Sequence, residues 1–201
     1  MPLPENPDNS WSGYLQATRD KPLHPLFLEL EPHLPPTGRA IDLGCGVGHA
    51  VVWLAEKGWE VEAVDGNPEA LQIVSERLTD DTRPRVKLSE SMLEDVSLSP
   101  NSYDLVVAAF SLFFIRSRED FDRFWAMIGA AVKPGGLFLG TLMGPHDDWA
   151  GRCITHDASE VHKLLSEWQV LHLEEADQDG ATSQGTPKHW HVFHVIARKP
   201  I

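Results

Sequence analysis

A glycine-rich turn beside an acid is the most specific chemical feature of the sequence. Gly44, Gly46 and Gly48 alternate directly after the apolar segment Arg39–Leu43, in which Asp42 is the penultimate residue. Glycine lacks a Cβ, so it adopts positive φ readily and lets a ligand approach the backbone. A helix that begins just beyond such a turn offers unpaired N–H groups to a polar ligand. The spacing therefore predicts a ligand site at the end of a strand.

A second acid, Asp65, ends the next apolar segment, Trp59–Asp65. A carboxylate at this place accepts both hydrogens of a ribose hydroxyl pair. The dinucleotide fingerprint Gly-x-Gly-x-x-Gly would need a glycine where this chain has His49. The mismatch disfavours a nicotinamide or flavin dinucleotide and leaves a dinucleotide oxidoreductase as the less favoured alternative. Asp42 is predicted to meet a cationic amino group or to brace the turn.

Alternation of strand-like and helix-like segments predicts the architecture that positions these acids. Five strand segments separated by helical patterns or polar loops favour a doubly wound α/β fold with a parallel sheet and right-handed crossovers. Two further strands have no helix between them and should pair antiparallel. Ligands bind such sheets beyond the carboxyl ends of the strands. The predicted strands are Arg39–Leu43, Trp59–Asp65, Arg85–Leu88, Tyr103–Phe110, Leu137–Met143, Trp168–Ala176 and His189–Arg198, the last two joined by a long connection over Asp177–Lys188.

Length and composition limit the class of protein. The 201 residues, 42% hydrophobic and 23% charged, fit one domain over residues 1–201, with residues 1–10 mobile. A net charge of −13 without a basic stripe argues against nucleic acid and anionic membranes as partners. The sequence shows neither a membrane-spanning apolar run nor a secretory signal, and Cys45 and Cys153 suggest neither a metal site nor a disulfide framework. Together these features predict a cytoplasmic protein.

Four motifs in order resemble those of the class I S-adenosylmethionine-dependent methyltransferases. They are the turn within Ala40–Gly48, the acid of Val64-Asp65, the fourth strand at Tyr103–Val107 and the turn Val132–Gly136. The resemblance covers roughly residues 11–198 and, within the family, is nearest to compact small-molecule enzymes of the tellurite and thiopurine type. It implies a Rossmann-like sheet of seven strands in the order 3-2-1-4-5-7-6, with strand seven antiparallel. It also implies S-adenosylmethionine as cofactor and S-adenosylhomocysteine as product.

The resemblance also implies roles for residues in the cofactor site. Gly44, Cys45 and Gly46 would line the methionine part of the cofactor through their backbone, and Asp65 would take the ribose hydroxyls. The helical segment 11–38 would cover the cofactor. Gly66 and Asn67 would border the adenine, and Tyr14 or Arg19 would meet the methionine carboxylate. Asp42 and Phe110 are also expected at the cofactor.

The adenine position departs from the family pattern. Where the family often has an acid that accepts the adenine amino hydrogens, this chain has Ser91, followed by Met92 and Leu93. Ser91 can hydrogen-bond and the Met92 N–H can reach an adenine ring nitrogen, while Glu90 or Glu94 could substitute for the missing acid. Adenine recognition is therefore expected to be less typical than ribose recognition.

Residues for the methyl acceptor are predicted from the ends of the later strands. Methyl transfer from a sulfonium is an in-line displacement in which alignment supplies most of the catalysis, so no catalytic residue is obligatory. The candidates for proton transfer are His146, Asp147 and His189, and those for the substrate pocket are Trp11, Phe113, Trp149 and Trp190.

The sequence thus predicts a methyltransferase acting on a small molecule, as a monomer or weak homodimer. His189 and His191 share a strand face but lack a third ligand at a telling spacing, so no metal is expected. A non-catalytic S-adenosylmethionine-binding protein stays as the alternative, because no residue in the sequence excludes it.

Overall fold

A computed structural model of the chain describes Asn6 and residues 10–201. The predicted mobility of residues 1–10 falls mostly outside this described part. Its helices are α1 (Trp11–Thr18), α2 (Leu26–Leu30), α3 (His49–Glu56), α4 (Pro68–Arg77), α5 (Arg118–Ala131) and α6 (Ala158–Leu164). Its strands are β1 (Arg39–Leu43), β2 (Glu60–Asp65), β3 (Val86–Glu90), β4 (Tyr103–Ala108), β5 (Val132–Met143), β6 (Gln169–Ala181) and β7 (Pro187–Arg198).

All seven strands form one sheet in the order β3-β2-β1-β4-β5-β7-β6. The β1–β2, β1–β4, β2–β3 and β4–β5 pairs are parallel, whereas β7 is antiparallel to both β5 and β6. The predicted fold class, strand order and antiparallel seventh strand are therefore confirmed. The carboxyl ends of β1 and β4 are neighbours, so the glycine turn after β1 and the residues after β4 meet at one edge of the sheet.

Apolar side chains bury both faces of the sheet. On one face, Phe121, Phe124 and Ile128 of α5 pack against the sheet, and on the other Leu54 of α3 and Leu26 of α2 do so. Two other helices begin at side-chain caps. Asn67 Oδ1 accepts from the Glu69 N–H at the start of α4, and a capping box of Asp157 and Glu160 begins α6.

The hairpin of β6 and β7 differs from the prediction. The long connection expected over Asp177–Lys188 is wrong, since Asp177 pairs with His191 and Ala181 with Pro187. Only residues 182–186 turn between the two strands. The hairpin therefore extends past the rest of the sheet as a two-stranded wall.

The start of β5 also differs in part. The predicted turn over Lys133–Gly136 lies inside the strand as an irregularity, because Tyr103 pairs with Val132 while Leu105 pairs with Leu137. Gly135 has a φ of +78° at this point, which an L side chain rarely adopts. Among the described residues, no helix has both the length and the apolar character needed to cross a membrane.

Candidate cofactor and acceptor site

A cavity of about 570 Å³ opens at the carboxyl ends of β1 and β4. The glycine turn forms its floor, and residues of α1 and of the β6–β7 hairpin form its walls. Its volume is in the range usual for small-ligand sites. Of the residues predicted for the cofactor and the substrate, it is lined by Trp11, Tyr14, Asp42, Gly44, Cys45, Gly46, Asp65, Gly66, Asn67, Met92, Leu93, Phe110, Phe113, Trp149 and Trp190.

The Asp65 carboxylate is fixed by the backbone at the end of β2. Its Oδ2 accepts from the Gly46 N–H at 2.9 Å, and its Oδ1 accepts from the Asn67 N–H at 2.8 Å. A carboxylate has about four lone-pair positions, so roughly two remain for a ligand. Burial raises the pKa of Asp65, and the two backbone N–H groups oppose that rise. The group is thus a rigid acceptor of hydrogen bonds beside the cavity.

Asp42 is the second carboxylate on the cavity. It is only 4% exposed, and among the described residues no side chain or backbone donor hydrogen-bonds to its carboxylate. Burial, and after it the charge of Asp65, raises its pKa to about 7. The same two causes, burial first, raise the pKa of Tyr14 to about 12, so this phenol stays neutral. A cation entering the cavity would relieve the repulsion between the two acids.

At the glycine turn a ligand meets these two carboxylates, because the first three N–H groups of the turn are hydrogen-bonded within the chain. The N–H groups of Gly44 and Cys45 donate to the Val64 carbonyl at 2.8 and 2.9 Å, and that of Gly46 donates to Asp65. An anionic pyrophosphate would therefore meet two carboxylates at a turn whose first three N–H groups are already used. The turn suits a ligand with a cationic group and a ribose.

Close packing explains the glycines at both ends of the turn. Gly44 has a φ of +78°, and a Cβ there would lie 2.5 Å from the Ser111 Cβ. Gly48, with a φ of +77°, would place a Cβ 2.6 Å from Val74 Cγ2 of α4. The glycines thus permit the β1–β4 contact and the approach of α4, and neither position tolerates a side chain.

His49, the residue that breaks the dinucleotide fingerprint, holds α1 over the turn. Its Nε2 lies 2.9 Å from the Thr18 carbonyl oxygen, and its Nδ1 lies 3.1 Å from Arg77 Nη2. With Nε2–H donating to the carbonyl, Nδ1 accepts from the guanidinium. Tyr14 of α1 consequently lies against the turn, with its Cε1 3.9 Å from where a Gly46 Cβ would be. This placement fits the expected covering segment.

Two residues predicted for the cofactor lie outside the cavity. Arg19 forms an ion pair with Glu76 at 2.9 Å, where both side chains are about half exposed, 48% and 46%. The Ser91 hydroxyl donates to the Met92 carbonyl at 3.1 Å. Lys21, which the sequence analysis did not select, is an exposed residue that lines the cavity and adds a positive charge to its lining.

Five rings form an aromatic arc along one side of the cavity: Trp11, Phe114, Trp149, Trp190 and Phe110. Neighbouring ring centroids in this order are 5.1, 6.4, 5.5 and 6.4 Å apart. All five rings line the cavity. Such spacing lets rings contact one another edge to face and leaves an apolar wall for a flat ligand.

The proton-transfer candidates His146, Asp147 and His189 lie away from the cavity. Even-numbered residues of β7, such as Trp190 and Val192, line it, and side chains alternate along a strand. His189 therefore lies on the other face, where its two ring nitrogens are 2.7 Å from Asp177 and Asp179. The position of these residues follows from the extension of the β6–β7 hairpin beyond Ala176, where the sequence analysis predicted a connection instead of strands.

A group that could hold a metal ion lies on this outer face. His146, Asp177 and His191 offer ligand atoms within 4.8 Å of one another. The group is hydrogen-bonded as it stands, because His146 Nδ1 lies 2.8 Å from Asp177 Oδ2 and His191 Nε2 lies 2.9 Å from Glu175 Oε1. The expectation of no metal stays a prediction.

Three residues at or near the cavity escaped the sequence analysis. His24 and His194 line the cavity, and their rings contact Phe110 and each other. Lys188 is outside the lining but lies against the rings of Trp149 and Trp190, which do line it. His24 lacked any pattern in sequence. For His194 the sequence did hold a signal: it is four residues from Trp190 on a predicted strand, which places the two side chains on the same face.

Comparison with known proteins identifies the class. Residues 40–136 match the family model described as a methyltransferase domain. The strand order and the cavity beside the glycine turn agree with that match: residues 40–136 form a methyltransferase domain, and the chain has the fold of the S-adenosylmethionine-dependent methyltransferases.

Individual relatives show the range of this class. TehB from Haemophilus influenzae has the same fold, with a TM-score of 0.72 and 19% identity over 88% of this chain and 62% of that chain. The 1,6-didemethyltoxoflavin-N1-methyltransferase of Burkholderia thailandensis, solved with S-adenosylhomocysteine, gives a TM-score of 0.68 at 18% identity over 98% of this chain and 93% of that chain.

A curated relative, the ribosomal RNA small subunit methyltransferase C of Alcanivorax borkumensis, is 43% identical over 139 residues, which is 65% of this chain and 41% of the relative. The chain spans about half the length of the first curated relatives it matches, between 43% and 55%.

Proposed function

We propose that this chain transfers a methyl group from S-adenosylmethionine to a small molecule held in the cavity. The observation that carries the proposal is the pair of carboxylates on one cavity wall. Asp42 is buried with no hydrogen-bond partner among the described residues, and Asp65 is fixed with acceptor positions to spare. S-adenosylmethionine has an ammonium group for the first and a ribose diol for the second.

The other contacts proposed for the cofactor follow from the lining. Gly44, Cys45 and Gly46 face the methionine part, and Lys21 of the lining is the cation proposed for its carboxylate. Gly66, Asn67, Met92 and Leu93 border the adenine. The bound cofactor supplies a methyl group on a sulfonium, which is already activated. The chain's own residues then orient the acceptor, exclude water and hold the acceptor's proton, and alignment provides most of the rate.

The aromatic arc supports a small acceptor over a nucleic acid. The acceptor wall is a set of rings rather than a strip of lysines and arginines, and the net charge of −13 repels a phosphate backbone. The relative named for ribosomal RNA is matched over only 41% of its length. RNA is therefore the rival acceptor that an experiment must include.

Calorimetry with S-adenosylmethionine, S-adenosylhomocysteine and NAD⁺ tests the cofactor. Both S-adenosyl compounds should bind, and NAD⁺ should not. Asp65→Asn keeps one oxygen for the loop N–H groups but loses the charge, so affinity should fall roughly 10–100-fold. Asp122→Asn, an exposed acid on α5, is the matched control. Preference for NAD⁺, or an unchanged affinity in Asp65→Asn, would overturn the proposal.

Turnover tests the acceptor. Formation of S-adenosylhomocysteine should depend on an added small acceptor and should not rise with a short RNA hairpin. Binding without turnover on any acceptor would support the alternative of a non-catalytic S-adenosylmethionine-binding protein.

A further inference from the structure

Two imidazoles and the Phe110 ring form a triangle of contacting rings at one end of the cavity, which we call the imidazole end. The ring centroids of His24 and Phe110 are 5.2 Å apart, those of Phe110 and His194 are 5.6 Å apart, and those of His24 and His194 are 5.2 Å apart. All three rings line the cavity, and His194 is 9% exposed. A buried histidine and a half-buried one thus lie together on the lining of a ligand cavity.

Each imidazole has one nitrogen engaged by the chain. His24 Nδ1 accepts from the Leu26 N–H at 3.3 Å, so its Nε2 carries the proton. His194 Nδ1 lies 3.4 Å from the Thr141 hydroxyl. Among the described residues no hydrogen bond ends on either Nε2. The imidazole end therefore offers one N–H from His24, and one nitrogen of His194 that accepts when its Nδ1–H donates to Thr141.

Phe110 is held in a conformation that an L residue rarely adopts. Its φ is +57°, two residues after the end of β4, in the left-handed region that non-glycine residues rarely adopt. In this conformation the ring contacts both histidines and lies 6.4 Å from the Trp190 ring. Strain of this kind concentrates at ligand sites.

Both imidazoles are neutral at neutral pH. Burial, followed by His24, lowers the pKa of His194 to about 4, with Glu174 opposing and His172 adding to the shift. Burial also lowers the pKa of His24, with Glu174 again opposing. A neutral pair suits an uncharged ligand, because it offers one donor and one acceptor without a net charge.

We propose that the imidazole end and the aromatic arc bind a planar aromatic or heteroaromatic acceptor, whose nucleophilic O–H or N–H lies against His194 and whose ring lies against the arc. This inference rests on the proposed function. His24 Nε2–H donates to a second polar atom of the acceptor and orients it. As the acceptor's lone pair bonds to the methyl carbon, the carbon–sulfur bond breaks and its electron pair stays on sulfur. The acceptor's proton passes to His194 Nε2 and from there to water.

Binding to the protein saturated with S-adenosylhomocysteine tests the acceptor class without turnover. The probes are phenol, para-nitrophenol and indole, with cyclohexanol as a non-planar molecule of similar size. At least one planar probe should bind by calorimetry and quench the fluorescence of the cavity tryptophans, while cyclohexanol should do neither. Equal binding of cyclohexanol, or binding of no planar probe, would overturn the inference. Failure of S-adenosylhomocysteine itself to bind would instead overturn the proposed function.

His194→Gln tests the proton acceptor. Glutamine keeps a hydrogen-bond acceptor but cannot take the proton, so the affinity for the planar probe should stay within roughly threefold while kcat falls roughly 100-fold. His24→Ala removes an orienting donor and should raise KM roughly fivefold with a smaller change in kcat. Affinity for S-adenosylhomocysteine should be unchanged in both.

The matched control is His156→Gln. His156 is 2% exposed and its pKa is also lowered to about 4, chiefly by burial, but it packs on Phe121 outside the cavity. An equal fall of kcat in His156→Gln and His194→Gln would assign the effect to packing and overturn the role of His194. So would an unchanged kcat in His194→Gln.

Discussion

At the scale of single residues, the buried Asp42 carboxylate destabilises the folded state, and a bound cation can offset this destabilisation. An acid whose pKa rises from 3.8 to about 7 on folding destabilises the folded state as pH increases through this range. Below the lower value the group is protonated in both states, and above the upper value the full cost is present. One pKa unit corresponds to about 1.4 kcal/mol, so the cost at pH 8 is at most roughly 4 kcal/mol.

Asp42→Asn should therefore have two opposite effects. The free energy of unfolding at pH 8 should rise by roughly 1–4 kcal/mol, and the gain should vanish near pH 4, where the wild-type acid is protonated. Affinity for S-adenosylmethionine should fall roughly tenfold or more at pH 8, since the ammonium loses its counterion. Urea unfolding measures the free energy of unfolding, and calorimetry measures the affinity for S-adenosylmethionine. A variant that loses stability at pH 8 would show that Asp42 is not an unpaired buried acid.

At the scale of elements, the β6–β7 hairpin is locked by one buried ion pair. Lys188 Nζ contacts the Asp147 carboxylate, and the two side chains are 2% and 0% exposed. The ammonium also lies 3.6 Å from the Trp190 ring centroid and 4.5 Å from that of Trp149. The pair thus joins the loop after β5 to β7 beneath two rings of the aromatic arc.

Lys188→Met should destabilise the fold by roughly 3–5 kcal/mol, because it leaves the Asp147 charge buried without its partner. The double variant Lys188→Met/Asp147→Asn should recover much of that loss. An asparagine oxygen can still accept from the N–H groups of Trp149 and His191, which now donate to Asp147 at 2.9 and 3.1 Å. Thermal unfolding of the single and double variants measures the coupling. Additive losses in the double variant would contradict the ion-pair account.

The same hairpin contains the part of the fold that the sequence did not predict. The parallel core was predictable, because β1 and β4 are largely apolar segments and β2 is an alternating one that ends on Asp65. The extension over Asp177–Ala181 was not, since aspartate and glycine are poor strand formers and only the pairing with β7 makes this segment a strand. The cofactor wall of the cavity was therefore predictable, whereas the imidazole end depends on long-range pairing that one sequence does not reveal.

At the scale of the whole molecule, the cavity joins parts of the chain that are distant in sequence. α1 contacts it through Tyr14, the glycine turn through Asp42, β4 through Phe110 and the hairpin through His194. A ligand that bridges these parts binds the folded state and not the unfolded chain. The free energy of unfolding should therefore rise by RT ln(1 + [L]/Kd), about 2.7 kcal/mol at a ligand concentration of 100 Kd.

For a chain of this length, that gain corresponds to a rise in Tm of roughly 5–10 °C. S-adenosylhomocysteine should produce it, and NAD⁺ at the same concentration should not. Differential scanning fluorimetry across a concentration series measures the shift, which should keep growing with the logarithm of ligand concentration above Kd. Asp65→Asn should move the curve to higher concentration without changing its slope, because the variant weakens binding but leaves the linkage between binding and folding intact. A shift that saturates at low ligand concentration would mean that the unfolded chain also binds.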